Sequence, residues 1–276
     1  MRVALLQLNV SDDPTENLAQ TLEYVREAVG KRAQFVLTPE VTNCLSTSRA
    51  RQNEVLQVEA DDITLAGLRE AARAHGVWIL IGSLGLKTTD PDGRFANRSF
   101  MIDPQGQIVA RYDKIHMFDV QVTPEETYRE SDGYRPGTQA VTAQTALGTV
   151  GMTVCYDVRF GALYTALTRA GAQVLTVPAA FSPVTGEAHW HTLLRARAIE
   201  TGCFVLAPAQ TGTHASAAHK TRKTYGHSLV VTPWGEVQLD AGKAPGVYIT
   251  DLDMKQVSDA RGKVPSLTNA RTFNGP

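Results

Sequence analysis

The sequence lacks the features that mark several common classes of protein. Only 3 of its 276 residues are cysteine, and Cys44, Cys155 and Cys203 lie too far apart to indicate a disulfide framework. Lys plus Arg (27) nearly equals Asp plus Glu (28), so no basic excess indicates nucleic-acid binding. No apolar run approaches the roughly 20 residues that cross a bilayer. We therefore expect a cytoplasmic protein that binds neither nucleic acid nor membrane.

The start of the chain is expected to be a strand rather than a leader, and the common cofactor motifs do not occur in the sequence. The apolar start resembles that of a signal sequence, but Asn9 and Ser11 interrupt it and no small-residue cleavage site follows, so we expect residues 2–9 to form a strand. The chain has no G-x-G-x-x-G and no P-loop, and we expect no cofactor. His189 and His191 are two positions apart and would not share a helical face. Because no carboxylate or cysteine accompanies them at ligand spacing, we expect no metal site.

Segments with helical and strand-like spacing alternate along most of the chain. Two turn signals, at residues 103–106 and 233–235, indicate β-hairpins that interrupt the alternation. We therefore expect an α/β sandwich with mixed sheets rather than a (β/α)8 barrel or a dinucleotide-binding fold. Residues 118–139 are expected to form a long loop, and the tail after Val264 is expected to be irregular. The expected helices cover residues 15–29, 62–75, 159–170, 187–201 and 253–262, and the expected strands cover residues 2–9, 34–38, 77–84, 96–103, 107–112, 148–154, 172–178, 203–209, 225–232, 236–239 and 246–251.

Cys155 has the most informative position in the chain. It follows the apolar, β-branched run 148–154, and the residues after it have helical spacing, with Asp157 as the expected N-cap. A strand-to-helix turn exposes a side chain and directs backbone N–H groups toward it, and a helix N-terminus favours thiolate over thiol. The pattern is thus compatible with a nucleophile. It is equally compatible with a small core residue, because free cysteine is among the most buried residue types.

Three further residues lie in settings that are compatible with chemistry. Glu40 follows an apolar strand, and strand ends are where α/β proteins collect their sites. Lys114 follows a strand among aromatic and apolar neighbours, and a buried lysine needs a partner or a function. Glu130, in the long loop, has almost no signal by itself. Ordinary alternatives are a solvated loop residue for Glu40 and a snorkelling surface lysine for Lys114.

The order Glu40, Lys114, Glu130, Cys155 resembles that of the nitrilase superfamily of carbon–nitrogen hydrolases. Each sequence string alone is weak, but their joint order is highly specific and covers about residues 1–265. The strings that carry the resemblance are Leu37-Thr38-Pro39-Glu40, Asp113-Lys114-Ile115-His116, and residues 154–160, 178–181, 186–190, 195–200, 225–228 and 233–235.

This resemblance implies an α/β fold, a four-layer α-β-β-α sandwich with two mixed sheets. It also implies one carbon–nitrogen hydrolase domain over residues 1–265, a C-terminal tail at residues 266–276, and a homodimer or larger homo-oligomer. The chain departs from the superfamily at one place: Gly161 and Ala162 stand where members often have Pro-Glu. Because that Glu lies beyond the catalytic set, we expect altered packing or pocket polarity and no loss of chemistry.

The resemblance further implies amide hydrolysis through a thioester. Cys155 would attack the carbonyl carbon, and Glu40 would take the thiol proton, pass it to departing ammonia and then activate water. Lys114 and the backbone N–H of Tyr156 would stabilise the oxyanion. Glu130 would orient Lys114 or the substrate.

The substrate is indicated by residues 207–212 and 223–228, which look most like those of the deaminated-glutathione amidases. We expect a small anionic carboxamide, deaminated glutathione above others, to be cleaved to acid and ammonia. The alternatives are 2-oxoglutaramate, as for the omega-amidases, and an N-carbamoyl amino acid. Arg159 stands where carbamoylases of the family hold a substrate carboxylate, although a structural role is equally compatible. The expected substrate-binding residues are Tyr156, Arg159, Phe181 and His189, and other cationic residues that border the site or form a solvated face are Arg129, His219, Lys220, Arg222 and Lys223.

Three competing interpretations are left open. A papain-like hydrolase would need a histidine beside Cys155, and only His116 has a suggestive context. A non-catalytic binding protein of the same fold would not need to retain all four candidate residues. A true nitrilase typically has Cys-Trp-Glu where this chain has Cys155, Tyr156 and Asp157, which look more like the amidase branch.

Overall fold

The computed structural model describes residues 1–124, 126–217 and 221–275. Within these ranges, two six-stranded sheets and the helices on their outer faces form the fold. The helices are α1 (Pro14–Gly30), α2 (Arg49–Val55), α3 (Ile63–His75), α4 (Gly161–Arg169), α5 (Pro183–Thr201), α6 (Lys255–Lys263) and α7 (Ser266–Asn269). The strands are β1 (Arg2–Gln7), β2 (Phe35–Leu37), β3 (Trp78–Leu86), β4 (Ala96–Ile102), β5 (Ile108–Asp113), β6 (Asp119–Gln121), β7 (Thr127–Arg129), β8 (Val141–Thr145), β9 (Gly148–Met152), β10 (Val174–Thr176), β11 (Phe204–Ala207), β12 (Thr211–His214), β13 (Arg222–Tyr225), β14 (Leu229–Val231), β15 (Val237–Asp240) and β16 (Gly246–Asp251).

The two large sheets share one arrangement. The first has the strand order β16-β1-β2-β3-β4-β5, with β1, β2 and β3 parallel and the other pairs antiparallel. The second has the order β15-β14-β11-β10-β9-β8, with β9, β10 and β11 parallel. Each sheet is therefore mixed, with three parallel strands at its centre. Both expected hairpins are present, as β4–β5 and β14–β15.

Alternation along β1 shows why the molecule has four layers. Val3 and Leu5 belong to the core that also contains strand residues of the second sheet, whereas Ala4 and Leu6 pack in the cluster that contains α1 and α3. Successive strand residues point to opposite faces, so an entirely apolar strand is buried on both sides. Helices α4 and α5 pack on the second sheet. The expected α-β-β-α sandwich with two mixed sheets is confirmed.

Several segments differ from the sequence-based expectation. Helix α2 and strands β8 and β12 were not expected. Residues 118–139 contain the β6–β7 hairpin and a 3-10 turn at Glu130–Asp132, which a polar composition did not reveal. A 3-10 turn at Cys155–Arg159 precedes α4, so Asp157 is not the N-cap of that helix. The tail contains the short helix α7. Among the described residues, no helix is both long and apolar enough to cross a membrane.

Candidate active site

The candidate site lies where strand ends of the two sheets meet. Glu40 comes three residues after β2 in the first sheet, and Cys155 comes three residues after β9 in the second. The chain that leaves β10 runs between them: Pro178 O accepts the Cys155 N–H at 2.9 Å, and Ala180 N–H donates to Glu40 Oε2 at 2.8 Å. Strands β2, β9 and β10 are parallel strands of their sheets. The residues that follow their carboxyl ends, which include Glu40 and Cys155, therefore lie together at one edge of the sandwich.

Gly82, inside β3, makes this close approach possible. A Cβ atom at that position would lie 2.1 Å from Thr38 O and 2.5 Å from Pro178 Cβ. Real Cβ atoms do not approach other atoms so closely, so any larger residue would displace the segment that carries Glu40 and the Pro178 segment, whose carbonyl accepts the Cys155 N–H. A glycine inside a strand often marks such a close backbone approach.

Cys155 occupies a strained turn rather than a helix N-terminus. Its φ is +50°, a conformation that non-glycine residues rarely adopt and that is often found at functional sites. The turn is held by Asp157, whose Oδ2 accepts the Val154 N–H at 2.9 Å and the Tyr112 hydroxyl at 2.6 Å. Asp157 thus organises the turn around the thiol instead of capping α4.

The Lys114 ammonium lies between two carboxylates. Its Nζ is 2.9 Å from Glu40 Oε1 and 2.8 Å from Glu130 Oε2. Phe118 N–H donates to the same Glu130 oxygen at 2.7 Å, which fixes the loop residue against the sheet. The structure therefore brings Glu40, Lys114 and Glu130 into contact, and Cys155 lines the same cavity.

Asn97 is a member of this cluster that the sequence analysis missed. Its Nδ2 donates to Glu40 Oε1 at 2.9 Å and to Glu130 Oε1 at 3.2 Å. Its Oδ1 is buried and has no hydrogen-bond partner within the part of the chain that the structure describes. The available signal was a polar amide within the otherwise buried strand β4, since a buried amide needs partners.

The pKa shifts of Glu40, Cys155 and Lys114 indicate the charge of each group in the resting site. Burial by itself would raise the pKa of Glu40, but the Lys114 ammonium, the Arg222 charge and a hydrogen bond from the Cys155 thiol hold it below its ordinary value. Burial and the neighbouring Glu40 carboxylate raise the pKa of Cys155 well above normal. Burial opposes the charge of Lys114, yet Glu130 and Glu40 raise the pKa of Lys114 well above normal. The resting site thus combines a neutral thiol with an ionised carboxylate and an ammonium.

These groups open into a cavity of about 770 Å³. Pockets of roughly 300–1,000 Å³ are typical of small-molecule sites. The cavity is lined by Cys155 and its partners and by cationic side chains that suit an anionic ligand, namely Arg49, Arg129, Arg222 and Lys223. His219 and Lys220, which the sequence analysis also considered, lie outside the described residues.

The expected substrate-binding residues are divided between two depressions. Phe181 lines the cavity of Cys155. Tyr156, Arg159 and His189 line a neighbouring depression of about 380 Å³. There Arg159 Nη2 lies 3.3 Å from His189 Nδ1, and the guanidinium carbon lies 5.8 Å from the centre of the Tyr156 ring. Phe118 lines both depressions, which are therefore adjacent.

His116 does not have the position that a Cys–His hydrolase requires. Its Nδ1 lies 2.7 Å from Asp157 Oδ1, and its ring stacks on Phe160 with the centroids 3.6 Å apart. It is not among the residues that line the cavity of Cys155. Gly161 and Ala162 also lie outside that lining, which limits the effect of the Pro-Glu replacement to packing at the start of α4.

Comparison with known proteins gives one family and several close relatives. The family model for carbon–nitrogen hydrolases matches residues 2–262. The deaminated glutathione amidase of Yersinia enterocolitica is 41% identical over 273 residues, which cover 98% of this chain and 92% of that protein. The crystal structure of the Caenorhabditis elegans NitFhit protein matches with a TM-score of 0.89 and 33% identity, over 98% of this chain and 65% of the other. An amidase from Nesterenkonia sp., in which acrylamide has added to the active-site cysteine, matches with a TM-score of 0.76 and 26% identity, over 96% of this chain and 98% of the other.

Proposed function

The chain belongs to the carbon–nitrogen hydrolase family, and we propose that it hydrolyses deaminated glutathione through a thioester on Cys155. It is an amidase of that family. The observation that carries the mechanism is the placement of the neutral Cys155 thiol against the ionised Glu40 carboxylate, with the Lys114 ammonium on the same carboxylate. The active-site cysteine of the Nesterenkonia amidase supports the choice of nucleophile.

Glu40 is the general base. It takes the Cys155 proton as the sulfur attacks the carbonyl carbon, and the negative charge moves from the carboxylate to the substrate oxygen. Lys114 loses part of its attraction to the now neutral Glu40 and, together with the backbone N–H of Tyr156, stabilises that oxyanion. Glu130 accepts hydrogen bonds from Lys114 Nζ with both carboxylate oxygens and holds the ammonium in place.

The proton on Glu40 then passes to the leaving nitrogen as the carbon–nitrogen bond breaks, which leaves a thioester on Cys155. Glu40 next takes a proton from water, the hydroxide attacks the thioester, and the acid is released while the thiol regains its proton. Atoms and charge balance over the cycle, because Glu40 gains and loses one proton in each half-reaction. No cofactor enters any step.

The sequence-based expectation that hydrolysis of deaminated glutathione releases ammonia is wrong. In deaminated glutathione the scissile nitrogen belongs to the cysteine of a cysteinylglycine unit, because glutathione joins its glutamyl side chain to that dipeptide. Its products are therefore 2-oxoglutarate and the dipeptide. Ammonia leaves only from a primary carboxamide such as 2-oxoglutaramate.

Arg222 is the proposed anchor for the substrate carboxylate beside the reacting bond. Its Nη2 donates to Ala180 O at 2.8 Å, and Ala180 N–H in turn donates to Glu40, so one residue links Arg222 to the general base. Arg222 Nε is buried and has no partner in the described residues. A guanidinium with free donors can hold a carboxylate by two hydrogen bonds. Arg159, for which the sequence left a carboxylate-binding and a structural role equally open, lies beside His189 in the neighbouring depression.

The proposal is tested by measuring kcat/KM for deaminated glutathione, 2-oxoglutaramate and an N-carbamoyl amino acid, with cysteinylglycine and ammonia detected separately. We expect the first substrate to be preferred. A preference for either of the others would overturn the substrate and leave the mechanism intact. Cys155→Ala should abolish turnover of every substrate, whereas Cys203→Ala, which removes a buried thiol away from the cavity, should retain it. Turnover by Cys155→Ala at the wild-type rate would refute the mechanism.

The carboxylate anchor is tested with matched neutral variants. Arg222→Gln should raise KM for deaminated glutathione at least tenfold, because one bidentate pair is lost. Arg159→Gln should change KM by less than threefold. A larger increase in KM for Arg159→Gln than for Arg222→Gln would show that Arg159 binds the substrate carboxylate.

We also propose that residues 1–265 form one domain with 266–276 as a tail, and that the protein is a cytoplasmic homodimer or larger homo-oligomer. Pairing of β1 with β16 supports one domain, since it joins Arg2 to Asp251. Three free cysteines are compatible with a reducing compartment. The exposed Val184 and Ile199 on α5 offer apolar surface for a second copy. Light scattering after gel filtration tests the oligomer: a mass of one chain would contradict it.

A further inference from the structure

A second cluster of ionisable groups lies apart from the residues that line the catalytic cavity. His191 projects from α5, His227 precedes β14, and Asp240 ends β15. His191 Nε2 is 3.0 Å from Asp240 Oδ2, and His227 Nδ1 is 2.9 Å from Oδ1 and 3.2 Å from Oδ2. One donor atom from each residue lies within 4.8 Å of the other two. Two imidazole nitrogens and a carboxylate thus converge on one point.

We propose that His191, His227 and Asp240 form a binding site for a divalent transition-metal ion of the zinc type. Zinc binds imidazole nitrogen and carboxylate oxygen at about 2.0–2.2 Å, which separates neighbouring ligand atoms of a tetrahedron by about 3.3 Å. The nitrogen–oxygen separations of 2.9 to 3.2 Å between the imidazoles and Asp240 are close to that value, and the two imidazole nitrogens lie within 4.8 Å of each other. Two histidines and one carboxylate leave a fourth position open to water or to another ligand.

Contacts around the cluster hold two of the three ligands in place. His227 has a φ of +56°, and this conformation is fixed on both sides: its N–H donates to Gly242 O at 2.6 Å, and its carbonyl accepts the Trp190 Nε1–H at 2.8 Å. The Tyr225 ring stacks on the His227 ring with the centroids 4.5 Å apart. Asp240 Oδ1 accepts the Gly242 N–H at 2.9 Å. Such secondary contacts orient metal ligands and strengthen metal binding.

The three ligands come from separate parts of the chain, which is why sequence spacing gave no signal. His189, the neighbour that the sequence pairs with His191, lies beside Arg159 in another depression. The partners of His191 are instead 36 and 49 residues away along the chain, as the residue numbers show. An ion at this position would join α5 to the β14–β15 hairpin. This site does not depend on the proposed amidase mechanism.

The test is a titration of the full-length chain, without a histidine tag and in the Cys155→Ala background, with zinc chloride in a non-coordinating buffer. Calorimetry should show one zinc ion bound per chain. His191→Gln and Asp240→Asn should each weaken binding at least tenfold, and His189→Gln, on the same helix, should not change it. Cobalt(II) should give the intense visible absorption of a four-coordinate ion in the parent protein, which is the Cys155→Ala chain, and in His189→Gln. The same absorption should be absent from His191→Gln and Asp240→Asn.

Two results would overturn the proposal. The first is an unchanged zinc affinity in His191→Gln and Asp240→Asn, which would place the ion elsewhere. The second is the absence of zinc binding to the Cys155→Ala protein at 100-fold molar excess, which would show that Asp240 only accepts hydrogen bonds from two imidazole N–H groups. Circular dichroism of each variant, which should match that of the parent, separates a lost ligand from a lost fold.

Discussion

Lys114 Nζ lies 2.9 Å from Glu40 Oε1, and the two side chains are only 2% and 5% exposed. Because Glu130 lies on the other side of the ammonium, one buried cation is shared by two carboxylates. A buried ion pair is weak evidence for added stability, but the removal of one partner is costly, since it leaves an unpaired charge out of water. The charges of this cluster are therefore linked to the fold as well as to the chemistry.

Lys114→Met should both inactivate and destabilise the protein. The change keeps the length of the side chain but leaves Glu40 and Glu130 without their cation, at a cost of about 3–5 kcal/mol in the free energy of unfolding. Urea unfolding followed by circular dichroism measures this loss. As a control, Lys114→Met combined with Glu40→Gln and Glu130→Gln should recover part of the stability without activity. An unchanged unfolding midpoint in the single variant would show that the charges are not coupled.

The pH profile of kcat/KM should be flat over a wide range. The pKa of Glu40 is lowered, so the base stays ionised until the pH falls below the ordinary glutamate pKa of about 4.3. The pKa of Lys114 is raised, so its charge persists beyond the ordinary lysine value of about 10.4. Arg222→Gln removes a charge that lowers the pKa of Glu40 and should shift the acid limb to higher pH. An acid limb already near pH 7 in the parent enzyme would contradict this assignment.

Stability should depend on pH in the corresponding way. Because the pKa of Glu40 is lower in the folded state, its contribution is present above about pH 4.3 and is lost as the pH falls through the folded value. Because the pKa of Lys114 is higher in the folded state, its contribution is present below about pH 10.4 and is lost as the pH rises through the folded value. Thermal unfolding from pH 3 to pH 11 checks both signs. Glu40→Gln should flatten the acid side of the curve.

Asn97→Ala should lower kcat with little change in KM. The amide donates to both Glu40 and Glu130, and hydrogen bonds to charged groups contribute about 1.5–3 kcal/mol. A loss of that size in transition-state stabilisation is roughly a 10- to 150-fold loss of rate. The acid limb should also move to higher pH, because Glu40 loses a donor to its ionised form. Asn97→Asp, which adds a third carboxylate near one ammonium, should lower kcat more than Asn97→Ala. A larger loss of kcat in Asn97→Ala would contradict a role of Asn97 in holding the carboxylates.

Gly82→Ala should lower the melting temperature and kcat far more than the same change at Gly262. The added methyl would lie 2.1 Å from Thr38 O, so the strand end that carries Glu40 must move. At Gly262, inside α6, a Cβ atom meets nothing within 4 Å, and alanine should stabilise the helix by up to about 1 kcal/mol. Melting temperatures and kcat of the two variants make the comparison. Equal effects would show that the space around Gly82 does not control the site.

The pattern of apolar residues was sufficient to predict the class of fold. The long periodic segments at α1, α3 and α5 and the apolar strands β1 and β3 all form within a few residues of their expected ends. Segments whose structure depends on distant partners were missed. The β6–β7 hairpin is polar and short, and Glu130 is ordered by Lys114 and by the N–H of Phe118, neither of which a local pattern reveals.

The local and the long-range contributions can also be separated at Cys155, the proposed nucleophile. The sequence placed Cys155 correctly at a strand end, but it assigned the following turn to a helix capped by Asp157. The buried Asp157 instead accepts hydrogen bonds from Val154 N–H and from the Tyr112 hydroxyl. Tyr112 belongs to the other sheet, so this competing contact could not be read from residues near Cys155.

By itself the sequence determined the layered α/β fold, the family and the choice of four candidate catalytic residues, because periodic burial and motif order are properties of the chain read in one dimension. Only the tertiary structure decided which charges face one another. It set Asn97 between two carboxylates, placed Arg222 rather than Arg159 in the cavity of the thiol, and brought His191 to Asp240. These residues are far apart in the sequence and meet only when strands, helices and loops pack together, since electrostatic partners are selected by distance in space.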